Sequence, residues 1–95
     1  MEVKHNKGEN KGIFYIEQNG ERIAGLSYVF DEPGKLVIEH TVVDPGNEGK
    51  GLGKQLVNAA VAFARENGYK ILPLCVYAKK VMEGSDVYKD VLFKN

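Results

Sequence analysis

A glycine-rich segment constrains the fold of this chain more than any other feature. Glycines alternate with other residues from Gly49 to Gly53 (GKGLG). Residues 36–43 before them are rich in β-branched side chains, which favours a strand, and Asp-Pro-Gly at 44–46 ends it. After them, apolar residues recur at helical spacing as far as Asn67-Gly68. The sequence therefore predicts a strand, a glycine-rich loop and a helix beginning near Gly51.

The loop is also a candidate anion site. The first amides of a helix have no internal partner, and together with the helix dipole they attract anions, most often phosphate. Glycines let the backbone approach such a ligand closely, and Lys50 and Lys54 add positive charge. A tight turn without a ligand is the alternative, but three alternating glycines exceed what one turn needs.

Two common phosphate-binding motifs do not fit this loop. The P-loop motif requires lysine directly after its second glycine, whereas Leu52 follows Gly51. The dinucleotide fingerprint requires a third glycine where this chain has Lys54 or Leu56.

The segment from Glu48 to Gly53 instead resembles the acetyl-CoA motif of the GCN5-related N-acetyltransferases, a strand followed by Gln/Arg-x-x-Gly-x-Gly/Ala and a helix. Glu48 replaces the usual glutamine or arginine. A carboxylate near a diphosphate costs about 1 kcal/mol when well solvated, which is comparable to a helix-dipole contribution of about 0.3–1 kcal/mol. We therefore expect Glu48 to weaken the site without abolishing it, provided that its side chain turns to solvent.

The remaining strands follow from turn signals. Alternating apolar patterns at 13–18 and 22–30 flank Asn19-Gly20, a strong hairpin signal, and a second turn at 31–34 leads into the strand at 36–43. These three strands form an antiparallel meander.

The second half completes the predicted architecture. The apolar run at 70–77 predicts a fourth, buried strand, parallel to the one before the helix. Short helical pieces broken at Gly84 should follow, and residues 1–11 should be flexible, with at most a short strand at Val3. The predicted fold class is α/β (α+β): one domain over 1–95, with a mixed sheet in which the antiparallel meander precedes a parallel β-α-β unit.

This order is similar to the central part of the acetyltransferase fold from Ile13 to Tyr77. The helices usually found between the first two strands, and the final hairpin, are missing. The segments IEHT at 38–41 and PLC at 73–75 resemble the small YjdJ-type branch of that superfamily.

The resemblance implies a binding site for acetyl-CoA between the two parallel strands. Backbone groups of Val42, Val43 and Asp44 would bond the pantetheine arm. The diphosphate would meet the backbone N–H groups of Glu48, Gly49, Lys50, Gly51, Leu52, Gly53 and Lys54. Lys79 and Lys80 could meet the adenosine 3′-phosphate, although lysine pairs more often lie at a solvated helix start.

The resemblance also implies a catalytic pair, His40 and Cys75. Imidazole titrates near neutral pH, so His40 could act as a base, and the Cys75 thiol could accept the acetyl group. The alternatives are structural. His40 would share a strand face with Leu36, Ile38 and Val42 and could be a core histidine, while a buried lone cysteine is often an inert small hydrophobe.

The favoured interpretation is an acetyl-CoA-dependent acyltransferase, a minimal N-acetyltransferase with an open acceptor site. The acceptor would be an amine, including that of a protein or peptide, reached directly with His40 as base or in two steps through Cys75. A non-catalytic CoA-binding or protein-interaction module is the second interpretation, and a structural β-α-β protein without a ligand is the third.

Composition limits the other possibilities. The 13 basic and 13 acidic residues balance, so there is no overall positive field for nucleic acid. One cysteine excludes an internal disulfide, cannot build a zinc site and suits the cytoplasm. No apolar run approaches membrane-spanning length, so we expect no membrane partner. We also expect no bound metal, and a monomer or weak homodimer.

Overall fold

The computed structural model describes residues 2–94. The elements in chain order are β1 (Lys4–Lys7), β2 (Lys11–Gln18), β3 (Glu21–Glu32), β4 (Lys35–Val43), α1 (Leu52–Asn67), β5 (Lys70–Pro73), α2 (Val76–Glu83) and a 3-10 turn (Asp86–Tyr88). The strands form one sheet in sequence order, antiparallel from β1 to β4 and parallel between β4 and β5. This confirms the predicted fold class.

Helix α1 packs its apolar side on one face of the sheet. Leu56, Val57 and Ala60 are fully buried there, in one cluster with Leu26 and Ile38 of the sheet. The helix ends where the sequence predicts, because Gly68 adopts a left-handed conformation (φ 72°) and its amide donates to the Ala64 carbonyl.

Strand β1 extends the predicted meander by a fourth antiparallel strand. Its sequence, KHNK, carries no local strand signal. The His5 ring stacks on Phe14 with the ring centroids 4.0 Å apart, and His5 Nε2 lies 2.6 Å from the Tyr28 hydroxyl oxygen. Long-range contacts therefore place this strand. The flexibility expected of residues 1–11 stays a prediction.

The predicted strand at 70–77 is wrong beyond Pro73. The apolar run contains the end of β5, a turn and the first residues of α2. The amides of Leu74 and Cys75 both point to the Ile38 carbonyl oxygen, at 3.0 and 3.3 Å, which turns the chain away from the sheet. Cys75 is consequently the N-cap of α2 rather than a strand residue. The helical pieces around Gly84 are as predicted.

Strand β4 contains a bulge at Glu39. Ser27 of β3 pairs with His40, but the next β3 residue, Tyr28, pairs with Ile38, which leaves Glu39 as an extra residue. The bulge reverses the alternation of faces. Thr41 now lies opposite the core residue Leu26 on the helix side.

The predicted placement of His40 on one face with Leu36 and Ile38 is therefore wrong. His40 lies opposite Ser27, on the face of the sheet away from α1, and its side chain is exposed. It is not a core histidine.

The central position of α1 can be tested by truncating Leu56. We expect Leu56→Ala to lower the free energy of unfolding by about 3 kcal/mol, because it removes buried methyl groups and leaves a cavity under the helix. Urea denaturation measures this change. Glu66→Ala, at an exposed position of the same helix, should change stability by less than about 0.5 kcal/mol. Equal effects of the two variants would contradict the packing described here.

Candidate active site

A cleft opens where β4 and β5 separate. The two strands pair only between Lys35–Ile38 and Lys70–Pro73. Beyond these residues, the edge of β4 at 39–43 has no neighbouring strand on that side within residues 2–94. The cleft holds about 570 Å³ and is lined by Thr41, Val42, Val43, Asn47, Glu48, Gly49, Gly51, Leu52, Gly53 and Tyr77. Its size suits a small-molecule ligand.

The glycine-rich loop supplies free amides to this cleft. Gly51 is the N-cap of α1 in a left-handed conformation (φ 75°), with no capping side chain. The amide of Gln55 donates to the Gly51 carbonyl at 3.1 Å. For the amides at positions 49–54 that precede it, no acceptor is found within residues 2–94. These donors can bind an anion at the positive end of the helix dipole.

Charged side chains around the loop are exposed. Glu48 lines the cleft, but its side chain is accessible to solvent. Lys50 Nζ donates to Asn47 Oδ1 at 3.0 Å, which ties this lysine back to the loop. Lys54 is exposed on the first turn of α1 and does not line the cleft.

Three other predicted contacts lie outside the cleft lining. Lys79 and Lys80 are exposed on α2. The Asp44 amide already donates to the Ile23 carbonyl at 2.9 Å, and the Asp44 carbonyl accepts from the Asn47 amide at 3.0 Å. Asp44 therefore anchors the turn after β4.

Tyr77 forms a wall of the cleft that sequence reasoning missed. Its ring lies so close to Gly53 that a Cβ at residue 53 would be 2.9 Å from it. Glycine at this position thus allows the first turns of α1 and α2 to approach each other. The signal available was a glycine inside a helical pattern, which often marks close approach. Because the apolar run at 70–77 suggested a strand, the position of Tyr77 on a helix next to Gly53 was not predicted.

Cys75 lies beside Thr41 where the strands part. Burial raises the pKa of the Cys75 thiol, but hydrogen bonding of its ionised form to the Thr41 hydroxyl and to the amides of Ala78 and Tyr77 outweighs this effect, so the pKa falls below its ordinary value. The Thr41 hydroxyl is buried and has no hydrogen-bond partner within residues 2–94. Sequence reasoning missed Thr41, because only the bulge turns it towards the helices.

The structure does not bring together the side chains of the predicted catalytic pair, His40 and Cys75. Cys75 packs against the core on the helix side, whereas His40 is exposed on the opposite face of β4. No hydrogen bond joins the two side chains in the described part of the chain. Neither α1 nor α2 has both the length and the apolar character of a membrane-spanning helix.

Comparison with known proteins shows the family of this chain. Residues 13–91 match the family described as GCN5-related N-acetyl-transferase. The chain belongs to this family. The solution NMR structure of a GCN5-like protein from Staphylococcus aureus is 39% identical and superposes with a TM-score of 0.76, covering 99% of this chain and 89% of that one.

Two further matches are to larger proteins. Mouse N-alpha-acetyltransferase 80 is 39% identical over 54 residues, which is 57% of this chain and 17% of the mouse protein. A Bacillus anthracis crystal structure in complex with acetyl coenzyme A is 22% identical, with a TM-score of 0.60 over 70% of this chain and 38% of that one, and shows the shared fold. This chain therefore spans only a small part of the mouse enzyme. Membership of the YjdJ-type branch stays a prediction.

Proposed function

We propose that this protein is an acetyl-CoA-dependent acyltransferase that transfers an acetyl group to an amine. The observation that carries the proposal is the row of free amides at positions 49–54, at the start of α1 and beside the gap between β4 and β5. A diphosphate needs such donors, and an extended thioester arm needs such a gap. The family and the neighbour solved with acetyl coenzyme A support this assignment.

Each part of acetyl-CoA has a matching set of residues. The unpaired edge of β4 at Val42 and Val43 would hold the pantetheine arm, whereas the backbone groups of Asp44 are already bonded to Ile23 and Asn47. The free amides of the loop would bind the diphosphate, with Glu48 turned to solvent and Lys50 and Lys54 contributing positive charge. The exposed Lys79 and Lys80 are available to the 3′-phosphate.

Neither candidate catalytic group lines the cleft, but Cys75 lies next to the lining residue Thr41, whereas His40 is exposed on the opposite face of β4. The Cys75 thiolate would attack the acetyl carbonyl carbon, forming a carbon–sulfur bond to Cys75 while CoA leaves with its sulfur and takes up a proton. An amine nitrogen would then bond to the same carbon and release the Cys75 thiolate, losing its proton to a base. His40 can be that base only for an acceptor that reaches the exposed face of β4. Direct attack by the amine, with His40 as base, is the second route.

The acceptor is proposed to be a protein or peptide amine. The cleft is open, and the described chain has no helices over the acceptor side. A bulky acceptor fits such a site. The name of the mouse relative, an N-alpha-acetyltransferase, points to the same class of amine.

A non-catalytic CoA-binding module is the second candidate, and Glu48 favours it. A carboxylate on the cleft wall opposes a bound diphosphate. Tight binding of CoA without any acceptor-dependent release of CoA would identify such a module.

Replacement of Cys75 separates the two-step route from direct transfer. We expect Cys75→Ala to reduce acetyl transfer to a peptide mixture by at least about a hundredfold, because the acyl-accepting sulfur is lost. Release of free CoA measures transfer. The dissociation constant for CoA, measured by calorimetry, should stay within about twofold of the wild-type value, since Cys75 lies outside the lining of the cleft. Full turnover by Cys75→Ala would eliminate the acyl-enzyme route.

Replacement of Glu48 tests the position of the diphosphate. We expect Glu48→Gln to tighten CoA binding about fivefold, because it removes a repulsion of about 1 kcal/mol. Calorimetry at low salt measures the change. The matched control is Glu66→Gln near the exposed end of α1, which should leave the affinity unchanged. An unaltered affinity in Glu48→Gln would mean that no diphosphate lies near this loop.

A further inference from the structure

The Thr41 hydroxyl occupies an unusual position in the cleft. Its oxygen is buried, yet it has no hydrogen-bond partner within residues 2–94. Buried hydroxyls are nearly always bonded, and one without a partner calls for an explanation. Thr41 lines the cleft, on the unpaired edge of β4.

Two backbone features bring Thr41 and Cys75 to the same side of the sheet. The bulge at Glu39 turns Thr41 to the helix side of the sheet, opposite Leu26. On the other strand, the Cys75 amide points to the Ile38 carbonyl at 3.3 Å, which holds Cys75 against β4 near the bulge. Without the bulge, Thr41 would face the opposite side of the sheet.

We propose that Thr41 is a positioning residue for Cys75, and that its hydroxyl donates a hydrogen bond to the ionised Cys75 sulfur and holds that sulfur at the cleft. The neutral thiol is a weak acceptor, so the hydroxyl gains a strong partner only when Cys75 ionises. This inference rests on the proposed acyl transfer through Cys75 for its biological meaning, but the hydrogen bond can be tested without acetyl-CoA.

Other groups around Cys75 also favour its ionised form. The ionised sulfur also faces the amides of Tyr77 and Ala78 at the start of α2, and the lowered pKa of the thiol reflects these amides together with Thr41. Titratable side chains on the surrounding elements include Glu39 and His40 on β4, Tyr77, Lys79 and Lys80 on α2, and Lys54 on α1. None of their charges is among the main causes of the shift.

The direction of the expected change in the Cys75 pKa follows from the role of the Thr41 hydroxyl as a hydrogen-bond donor. A hydrogen bond to the thiolate favours ionisation, so its removal must raise the pKa of Cys75. A purely structural role for Thr41 would change stability without changing this pKa. The pH dependence of thiol reactivity therefore distinguishes the two roles.

The experiment compares the alkylation of Cys75, the one cysteine in the chain, by iodoacetamide across a range of pH in four proteins. Thr41→Val keeps the β-branched shape and removes the hydroxyl, whereas Thr41→Ser keeps the hydroxyl. We expect Thr41→Val to move the midpoint of the rate profile upward by about one pH unit and to slow alkylation below the midpoint about tenfold. Thr41→Ser should keep the wild-type midpoint. Ser27→Ala, which removes a hydroxyl on the opposite face, is the matched control and should also leave it unchanged.

Equal midpoints in wild type and Thr41→Val would overturn the proposal, as would an equal upward shift in Thr41→Val and Thr41→Ser. Thr41→Ala provides the same measurement if valine prevents folding, which circular dichroism would reveal. Because no acetyl-CoA is present, this result is independent of the proposed function. A shifted midpoint combined with full turnover by Cys75→Ala would keep the hydrogen bond and reject the transfer route.

Discussion

The separation of β4 from β5 is the constraint on which the rest of the site depends. Two parallel strands normally continue side by side, but here the pairing ends at Ile38 and Pro73. The two amides after Pro73 both turn back to the Ile38 carbonyl, and the chain leaves the sheet to begin α2. The remaining residues of β4 keep their free edge. An open cleft in the sheet is the direct consequence.

Two helices begin at the end of the sheet where β4 and β5 separate. Helix α1 begins at the glycine-rich loop and α2 begins at Cys75, and Gly53 lets the Tyr77 ring close the space between them. Both helices direct the positive ends of their dipoles towards this region. One start serves as a proposed anion site, and the other stabilises a proposed thiolate. Phosphate binding and thiol activation would therefore share one physical origin.

Sequence patterns predicted the features that local chemistry determines. The Asn19-Gly20 hairpin, the helix stop at Gly68 and the glycine-rich junction each have a short-range signal, and all are present. The features missed depend on distant contacts. The bulge at Glu39 reflects pairing with β3, and β1 is held by the stacking of His5. Within residues 70–77, apolar periodicity could not show where the strand ends and the helix begins, because the run is apolar on both sides of that boundary. The proposed roles of Cys75 and Thr41 depend on these unpredicted features.

Titration of the protein with CoA, observed through its backbone amide resonances, tests the central claim most directly. The account predicts saturable shifts concentrated at residues 49–54 and along the free edge of β4, because these amides exchange solvent for the diphosphate and the pantetheine arm. The far end of α1, near Glu66, should remain unchanged. Silence at residues 49–54 while CoA is in excess, or shifts confined to another part of the surface, would contradict the assignment of this cleft as an acetyl-CoA site.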